Sequence, residues 1–230
     1  MKTRDITFAI LGLAVAVTCI RLGFWQLSRL EERREFNTGL RSRAETAPVD
    51  LAAIPKDTGA ARFRRVKLRG SYDFANEIRL TNRTRNGSPG VNIITPLRIP
   101  DTDTALLVNR GWVYAPDAMT VDFGRWREPT ELNAEGYIEN YSAGRGNART
   151  TSNAKAYRWL DHPTLAQEFP YPIAPYFAVL IGDSSNTGAA VPPRLGVPPL
   201  DEGPHKSYAF QWFSFAAISI FGTILYLRRK

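Results

Sequence analysis

Two long apolar runs stand near the ends of the chain and differ from everything between them. The first is uncharged from 6 to 20 and continues past Arg21 to Leu27, and the second holds twenty residues without a formal charge, 208–227. A helix of about 20 apolar residues crosses the hydrocarbon layer of a bilayer. The pattern therefore predicts two transmembrane helices, at 6–27 and 207–227, with one domain at 28–206 between them.

The charges beside the two runs predict their orientation. Basic residues lie within 1–4 and at 228–230. Basic residues next to a span tend to stay in the cytoplasm, whereas long translocated domains follow this rule weakly. We therefore expect cytoplasmic ends at 1–5 and 228–230 and an extracytoplasmic domain, although three arginines after the first run, Arg29, Arg33 and Arg34, argue the other way. A cleaved secretory signal is the rival interpretation of the first run.

Residues 28–206 change character along their length. Charges and good helix formers at 28–44 predict that the first helix continues out of the membrane until Gly39. From residue 63, short runs of Val, Ile, Leu and Tyr are broken by Gly, Asn and Pro, which is typical of strands and turns. The candidate strands are 63–70, 77–82, 91–99, 105–114, 132–139, 157–160 and 176–181.

Two further segments complete the predicted domain. A short helix capped by Asp161 should bury Leu165, Ala166 and Phe169, and the residues at 182–204, rich in Gly and Pro, should form an extended tether back to the membrane. The predicted fold class is therefore an α+β membrane protein, in which two transmembrane helices flank one mostly antiparallel β domain, barrel-like or sandwich-like.

Composition narrows the possible chemistry. The net charge of +8 is spread along the chain rather than gathered in one block, so it does not indicate nucleic acid, and it suits anionic lipid or an acidic cofactor. The single cysteine, Cys19, lies in the first apolar run and allows no internal disulfide. Neither a phosphate-binding loop nor a nucleophile elbow occurs, so we do not expect an enzyme. The runner-up, a membrane-anchored hydrolase, would depend on His162 or His205.

Aromatic and basic residues gather where the chain enters each apolar run. One interpretation is an aromatic belt with cations that reach the headgroups. The other is a site between two helices for a flat, apolar dianion, in which imidazole ligates iron and guanidinium pairs with carboxylates. The residues concerned are Arg21, Trp25, Gln26 and Arg29 at the first run and His205, Lys206, Tyr208 and Trp212 at the second.

Four separated segments carry a resemblance to a known family: LGFWQLSRLEERR at 22–34, LTNRTRNGSPGVNIITPL at 80–97, LLVNRGWV at 106–113 and HKSYAFQWF at 205–213. Their order and spacing resemble those of the Surfeit locus protein 1 family, membrane proteins that assist the assembly of heme-a-containing cytochrome c oxidase. The resemblance covers nearly the whole chain and agrees with two anchors. A sequence with only five residues before its first span is then expected in a bacterial plasma membrane.

The resemblance implies a function and residues to perform it. It implies that heme a is bound and handed to the catalytic subunit of the oxidase, with other assembly factors as partners. A scaffold that stabilises oxidase subunits without ligating heme stays the alternative. His205 matches the family histidine proposed as a ligand of the heme a iron, and the other matched cofactor-binding positions are Tyr208, Trp212, Trp25, Gln26 and Arg29. Positions with a possible structural role are Gly90, Arg110, Gly111 and Trp112. Gly203 and Pro204 depart from the family, which often has Asn two residues before the histidine.

Overall fold

The computed structural model describes residues 3–142, 147–150, 155–182 and 191–229, which form two compact units. The helical unit is Met1–Gly39 with Pro199–Lys230, and the sheet unit is Leu40–Pro198. Residues 183–190 of the predicted tether lie outside the described residues, as do both chain ends. The helices are α1 (Thr3–Glu45), α2 (Thr58–Ala61), α3 (His162–Glu168) and α4 (His205–Arg228). The strands are β1 (Val49–Asp50), β2 (Arg65–Tyr72), β3 (Ile78–Arg85), β4 (Ser88–Arg98), β5 (Ala105–Tyr114), β6 (Glu131–Asn140), β7 (Ala156–Tyr157) and β8 (Tyr176–Leu180).

In the helical unit, α1 and α4 run antiparallel. The rings of Phe8 and Tyr226 lie 4.3 Å apart at one end, while Gln26 meets His205 at the other. Small residues on α1 recur at intervals of three and four and face α4, namely Gly12, Ala16, Cys19 and Gly23. Small side chains let two helices approach closely, which is how apolar helices associate in lipid. Both helices are long and apolar enough to cross a membrane by length and composition.

In the sheet unit, eight strands form one mixed sheet in the order β1-β2-β6-β8-β5-β4-β3-β7. Most pairings are antiparallel, but β1 with β2, β3 with β7 and β5 with β8 are parallel. Strand β2 also pairs with β4 at Ser71↔Arg98 and Tyr72↔Leu97, so hydrogen-bonded pairing runs through β2, β6, β8, β5 and β4 and returns to β2. The core is on one face of these strands.

Alternation along the strands builds that core. In β2, for example, Val66 and Leu68 are buried while Lys67 is exposed, because successive side chains of a strand point to opposite faces. The main cluster takes buried residues from all five strands of the ring and includes Val66, Leu68, Leu97, Leu106, Val108, Ile138, Ala178 and Leu180. A second cluster is formed by Val91, Ile93, Val113 and Ala115.

The structure corrects several local predictions. Helix α1 continues past Gly39 to Glu45, and Tyr157 is the one residue of the predicted strand at 157–160 that lies in a strand, the two-residue β7. Helix α3 is capped by Asp161, whose side chain accepts from the Thr164 backbone N–H, and it buries Leu165. The prediction that Ala166 is buried is wrong, because it faces solvent on this two-turn helix.

Candidate functional site

His205 is the first residue of α4 and contacts the middle of α1. Its Nδ1 lies 2.8 Å from Oε1 of Gln26, a residue that is 9% exposed. An amide oxygen only accepts hydrogen bonds, so the neutral imidazole that fits this contact donates from Nδ1 and carries its lone pair on Nε2. A histidine that ligates a metal is commonly oriented by such a hydrogen bond from its other nitrogen.

A cavity of about 440 Å³ lies beside His205 within the helical unit. Its walls are formed by one face of α1 and by the residues that lead into α4: Arg29, Glu32, Arg33, Phe36, Glu202, Gly203 and His205. Helix residues three and four apart share a face, which explains why Arg29, Arg33 and Phe36 meet there. The cavity thus combines an imidazole with two guanidinium groups and one aromatic ring.

The arginines at and beside the cavity differ in whether a carboxylate is already paired with them. Arg29 pairs with Glu32 at 2.5 Å, and Arg34 pairs with Glu202 at 3.0 Å. The hydrogen bond from Arg34 lowers the pKa of Glu202, which therefore stays ionised. Arg33 donates from Nε to the Asp201 carbonyl but forms no ion pair in the part of the chain that the structure describes. The guanidinium of Arg33 is consequently the cation at this cavity that is most available to bind the carboxylate of a ligand.

The segment before α4 is held against α1 by polar contacts. Asn37 donates from Nδ2 to the Asp201 carbonyl at 3.1 Å, and the Asp201 side chain accepts from the backbone N–H of Gly203 at 2.8 Å. Gly203 has a φ of 74°, a conformation that glycine adopts without strain and asparagine tolerates. A Cβ at Gly203 would lie 3.5 Å from Nε2 of His205, so this residue borders the coordinating edge of the ring.

Comparison with known proteins identifies the family. The model of the SURF1 family matches residues 13–217. The chain belongs to the SURF1 family. It is 27% identical to the SURF1-like protein of Monosiga brevicollis over an alignment of 246 positions, which covers 95% of this chain and 86% of that protein. It is 31% identical to Surfeit locus protein 1 of Takifugu rubripes and 32% identical to that of Homo sapiens, each over 116 residues. Those matches cover 44% of this chain in both cases, and 48% and 39% of the two relatives, so the chain aligns with less than half of either.

The residues that match this SURF1 pattern divide into two groups. His205, Gln26 and Arg29 come together at the cavity or directly beside it. The aromatic residues do not line the cavity: Trp25 is 53% exposed and Tyr208 47% exposed on the outer surfaces of the helices. Trp212 is half-buried and packs edge-on against Phe215, with ring centroids 6.0 Å apart.

Sequence reasoning missed Arg33, Phe36 and Glu202 as neighbours of His205. A signal for two of them was present, because Gln26, Arg29, Arg33 and Phe36 recur at intervals of three and four on a continuous helix. No such signal exists for Glu202, since its position depends on an irregular segment.

Residues 109–112, with the sequence NRGW, have a structural role in the sheet unit. The side chain of Arg110 is fully buried, with Nη1 2.5 Å from Glu77 and Nε 2.9 Å from Glu128. Gly111 has a φ of 141°, and a Cβ there would lie 2.4 Å from the Pro193 carbonyl oxygen. Burial and close backbone approach therefore account for these two residues.

Gly90 and Trp112 complete the same packing arrangement on β4 and β5. A Cβ at Gly90 would lie 2.5 Å from the indole of Trp112 and 2.3 Å from the Val113 carbonyl oxygen. The indole N–H donates to the Arg83 carbonyl at 3.2 Å. Gly90 thus leaves the space that the Trp112 ring fills.

Proposed function

We propose that this protein is a membrane-anchored assembly factor for heme-a-containing cytochrome c oxidase, which holds heme a through His205 and passes it to the catalytic subunit. The observation that carries the proposal is the 2.8 Å contact between His205 Nδ1 and Gln26 Oε1, which leaves Nε2 as the nitrogen available to ligate iron, next to a cavity with two arginines. The role is one of holding and release rather than of catalysis.

The residues at this cavity suit heme a in three respects. An imidazole is a common axial ligand of heme iron, and the hydrogen bond from Nδ1 fixes the orientation of the ring. Guanidinium groups bind carboxylates in charge-assisted hydrogen bonds, so Arg33 and Arg29 are suited to the two propionates. The two glutamates at the cavity, Glu32 and Glu202, are each paired with an arginine, which reduces their repulsion of those propionates.

A holding role also follows from the chemistry of the cargo. Heme a is too apolar to travel free in water, while its propionates are costly to bury in hydrocarbon. The cavity is mostly charged and lies where α4 begins, beside the apolar lengths of both helices, so the propionates would meet its arginines while the ring lies toward the apolar segments. One imidazole on an open site binds modestly, which permits transfer to a subunit that offers more ligands.

The same proposal includes an arrangement in the membrane. We infer that 6–27 and 207–227 span a bacterial plasma membrane, with 1–5 and 228–230 cytoplasmic and 28–206 extracytoplasmic, and that the ring of strand pairings closes the sheet into a barrel. Large apolar side chains face outward along both helices, including Leu13 at 63%, Phe210 at 76% and Phe221 at 65% exposed. Lipid would cover this surface. The partners are then the bilayer, oxidase subunits and other assembly factors, without nucleic acid.

The test is an absorption spectrum of the full chain, purified in detergent from cells that make heme a. Wild type and the control variant His162→Ala should carry a Soret band and a red band of heme a, because His162 lies in the sheet unit. His205→Ala should lack both bands while remaining folded by circular dichroism. Heme a retained by His205→Ala would overturn the assignment of the ligand.

A second variant tests the hydrogen bond itself. Gln26→Leu removes the acceptor for Nδ1 but leaves the ligand atom, so heme affinity should fall by about 10- to 100-fold, the usual effect of losing such a partner. An affinity equal to that of the wild type would remove Gln26 from the site. If wild type, folded and expressed with heme a, carries none yet copurifies with oxidase subunits, the protein is the scaffold and not the carrier.

A further inference from the structure

A second cavity, of about 400 Å³, lies wholly within the sheet unit and has no part in the site around His205. It sits on the face of the sheet opposite the main core, above neighbouring residues of β5, β8 and β6. Asn109 pairs in register with Val179, and Val179 with Tyr137, so these three line one wall side by side. Phe177 adds a second aromatic ring to the lining.

Several buried polar atoms of the residues that line this cavity have no hydrogen-bond partner. The described residues include ten buried side-chain nitrogen or oxygen atoms without a hydrogen-bond partner, and four of those ten belong to residues that line this one cavity. They are Arg83 Nε, Asn92 Oδ1, Asn140 Oδ1 and Trp159 Nε1. Buried polar atoms are nearly always paired in folded proteins. Two donors and two acceptors around one space therefore indicate a polar occupant.

The charged residues of the lining indicate which kind of polar molecule the cavity suits. Arg83 donates from Nη2 to the Arg158 carbonyl at 2.5 Å, but it forms no ion pair among the described residues. The carboxylate of Glu139, also in the lining, is already paired with Arg62 at 2.7 Å. The lining thus has one guanidinium charge in excess, and burial lowers the pKa of Arg83, as it does for a cation without a counter-ion.

We propose that this cavity binds a small organic acid, in which a carboxylate stands next to a hydroxyl group. The carboxylate accepts hydrogen bonds from Arg83 Nε and the Trp159 indole N–H, and the hydroxyl donates to Asn92 or Asn140. The carbon skeleton packs against the ring of Phe177. One excess positive charge matches a carboxylate better than a phosphate, whose second charge would lack a partner.

The test is calorimetric titration of the full chain in detergent, in a buffer free of carboxylic acids. The probes are L-lactate, which has a hydroxyl beside its single carboxylate, and L-lactamide, its uncharged amide. Lactate should bind and lactamide should not. Arg83→Gln should weaken lactate binding by about 10- to 100-fold, the effect of losing one hydrogen bond to a charged group. Lys67→Gln removes the same charge from an exposed position on β2 and should leave binding unchanged.

A second measurement separates a binding role from a structural one. Trp159→Phe removes an unpartnered donor but keeps an aromatic ring, so the ligand-free variant should unfold at a temperature equal to or above that of the wild type while lactate binds more weakly. A residue that served only packing would lower the unfolding temperature without changing lactate affinity, which would overturn the proposal. Equal binding of lactate and lactamide would show that the cavity does not recognise a carboxylate, and binding of neither would leave water as the occupant; either result would overturn the proposal as well. None of these outcomes depends on heme.

Discussion

Arg110 offers the sharpest test of how the sheet unit is stabilised. Its guanidinium is fully buried and contacts Glu77, Glu128 and the carbonyl of Trp126. The change Arg110→Met replaces the guanidinium side chain with an unbranched apolar one and so removes the charge. Glu77, only 2% exposed, then retains a single hydrogen-bond partner, the hydroxyl of Thr95 at 2.6 Å from Oε1, and loses the cation with which it forms an ion pair.

The expected loss is large. Removing one partner of a buried ion pair costs about 3–5 kcal/mol, and in a unit of this size each kcal/mol lowers the midpoint of thermal unfolding by about 2–4 °C. The midpoint of Arg110→Met should therefore fall by about 6–20 °C at neutral pH. The assay is thermal unfolding of the full chain in detergent, followed by near-ultraviolet circular dichroism. Arg85→Met is the matched control, because Arg85 makes only a 3.5 Å contact to a carbonyl and forms no ion pair among the described residues.

The pH dependence distinguishes a lost ion pair from lost packing. Burial raises the pKa of Glu77, while Arg110 opposes that rise, so the pKa should be higher still in Arg110→Met. A carboxyl whose folded-state pKa exceeds its unfolded-state value binds its proton more tightly when folded, and stability is lost as the pH rises through that folded-state pKa. The difference from the wild type should therefore be widest at neutral pH and narrow as the pH falls. A midpoint equal to that of the wild type, or a deficit that does not change with pH, would refute this reasoning.

Three further predictions use the same preparation. Gly111→Ala places a Cβ against a carbonyl oxygen at a φ of 141° and should destabilise the sheet unit by about 1–3 kcal/mol; an unchanged unfolding midpoint would contradict the strained conformation. Gly23→Val places a side chain against the ring of Phe213 on α4 and should separate the helices, so that the buried Cys19 reacts faster with a maleimide. The control is Gly222→Val, whose added side chain meets nothing within 4 Å and should leave the rate unchanged. Equal rates in the two variants would contradict the packing of α1 on α4. Asp161→Ala removes the cap of α3 and should cost about 1 kcal/mol by denaturant titration, with Asp161→Asn losing less; equal losses in the two variants would contradict the capping role.

Local pattern predicted the elements well where a segment has one dominant signal. A run of strand-forming residues between turn residues located β5 at its observed bounds, and uncharged length located both long helices. The sequence predicts the end of α1 too early. A glycine in a helix interior lowers helix stability by about 1 kcal/mol relative to alanine, so Gly39 indicates a helix terminus. Here Gly39 is tolerated because the helix buries Leu40, which is 3% exposed, immediately after it.

Partners that lie far apart in sequence could not be predicted in this way. The counter-charges of Arg110 come from Glu77, 33 positions away, and from Glu128, 18 positions away. The sequence therefore does not indicate which residues neutralise Arg110, although the family resemblance already implies a structural role for it. The parallel pairing of β5 with β8 joins two distant segments, and because nearly every residue of both strands is buried, the pattern within either strand does not indicate its partner.

The position of the candidate site around His205 follows from a change of residue size along one face of α1. From Gly12 to Gly23 the residues that face α4 are small, and the backbones approach closely enough for Ser219 to donate to the Gly12 carbonyl at 2.8 Å. The next residue on that face is Gln26, whose polar side chain requires a partner when buried, and His205 supplies it. One turn later the face continues with arginines, and there the cavity opens. The same periodic face thus packs the helices, orients the imidazole and presents the cations, so a substitution even as far along the face as Gly12 should disturb the contact between Gln26 and His205.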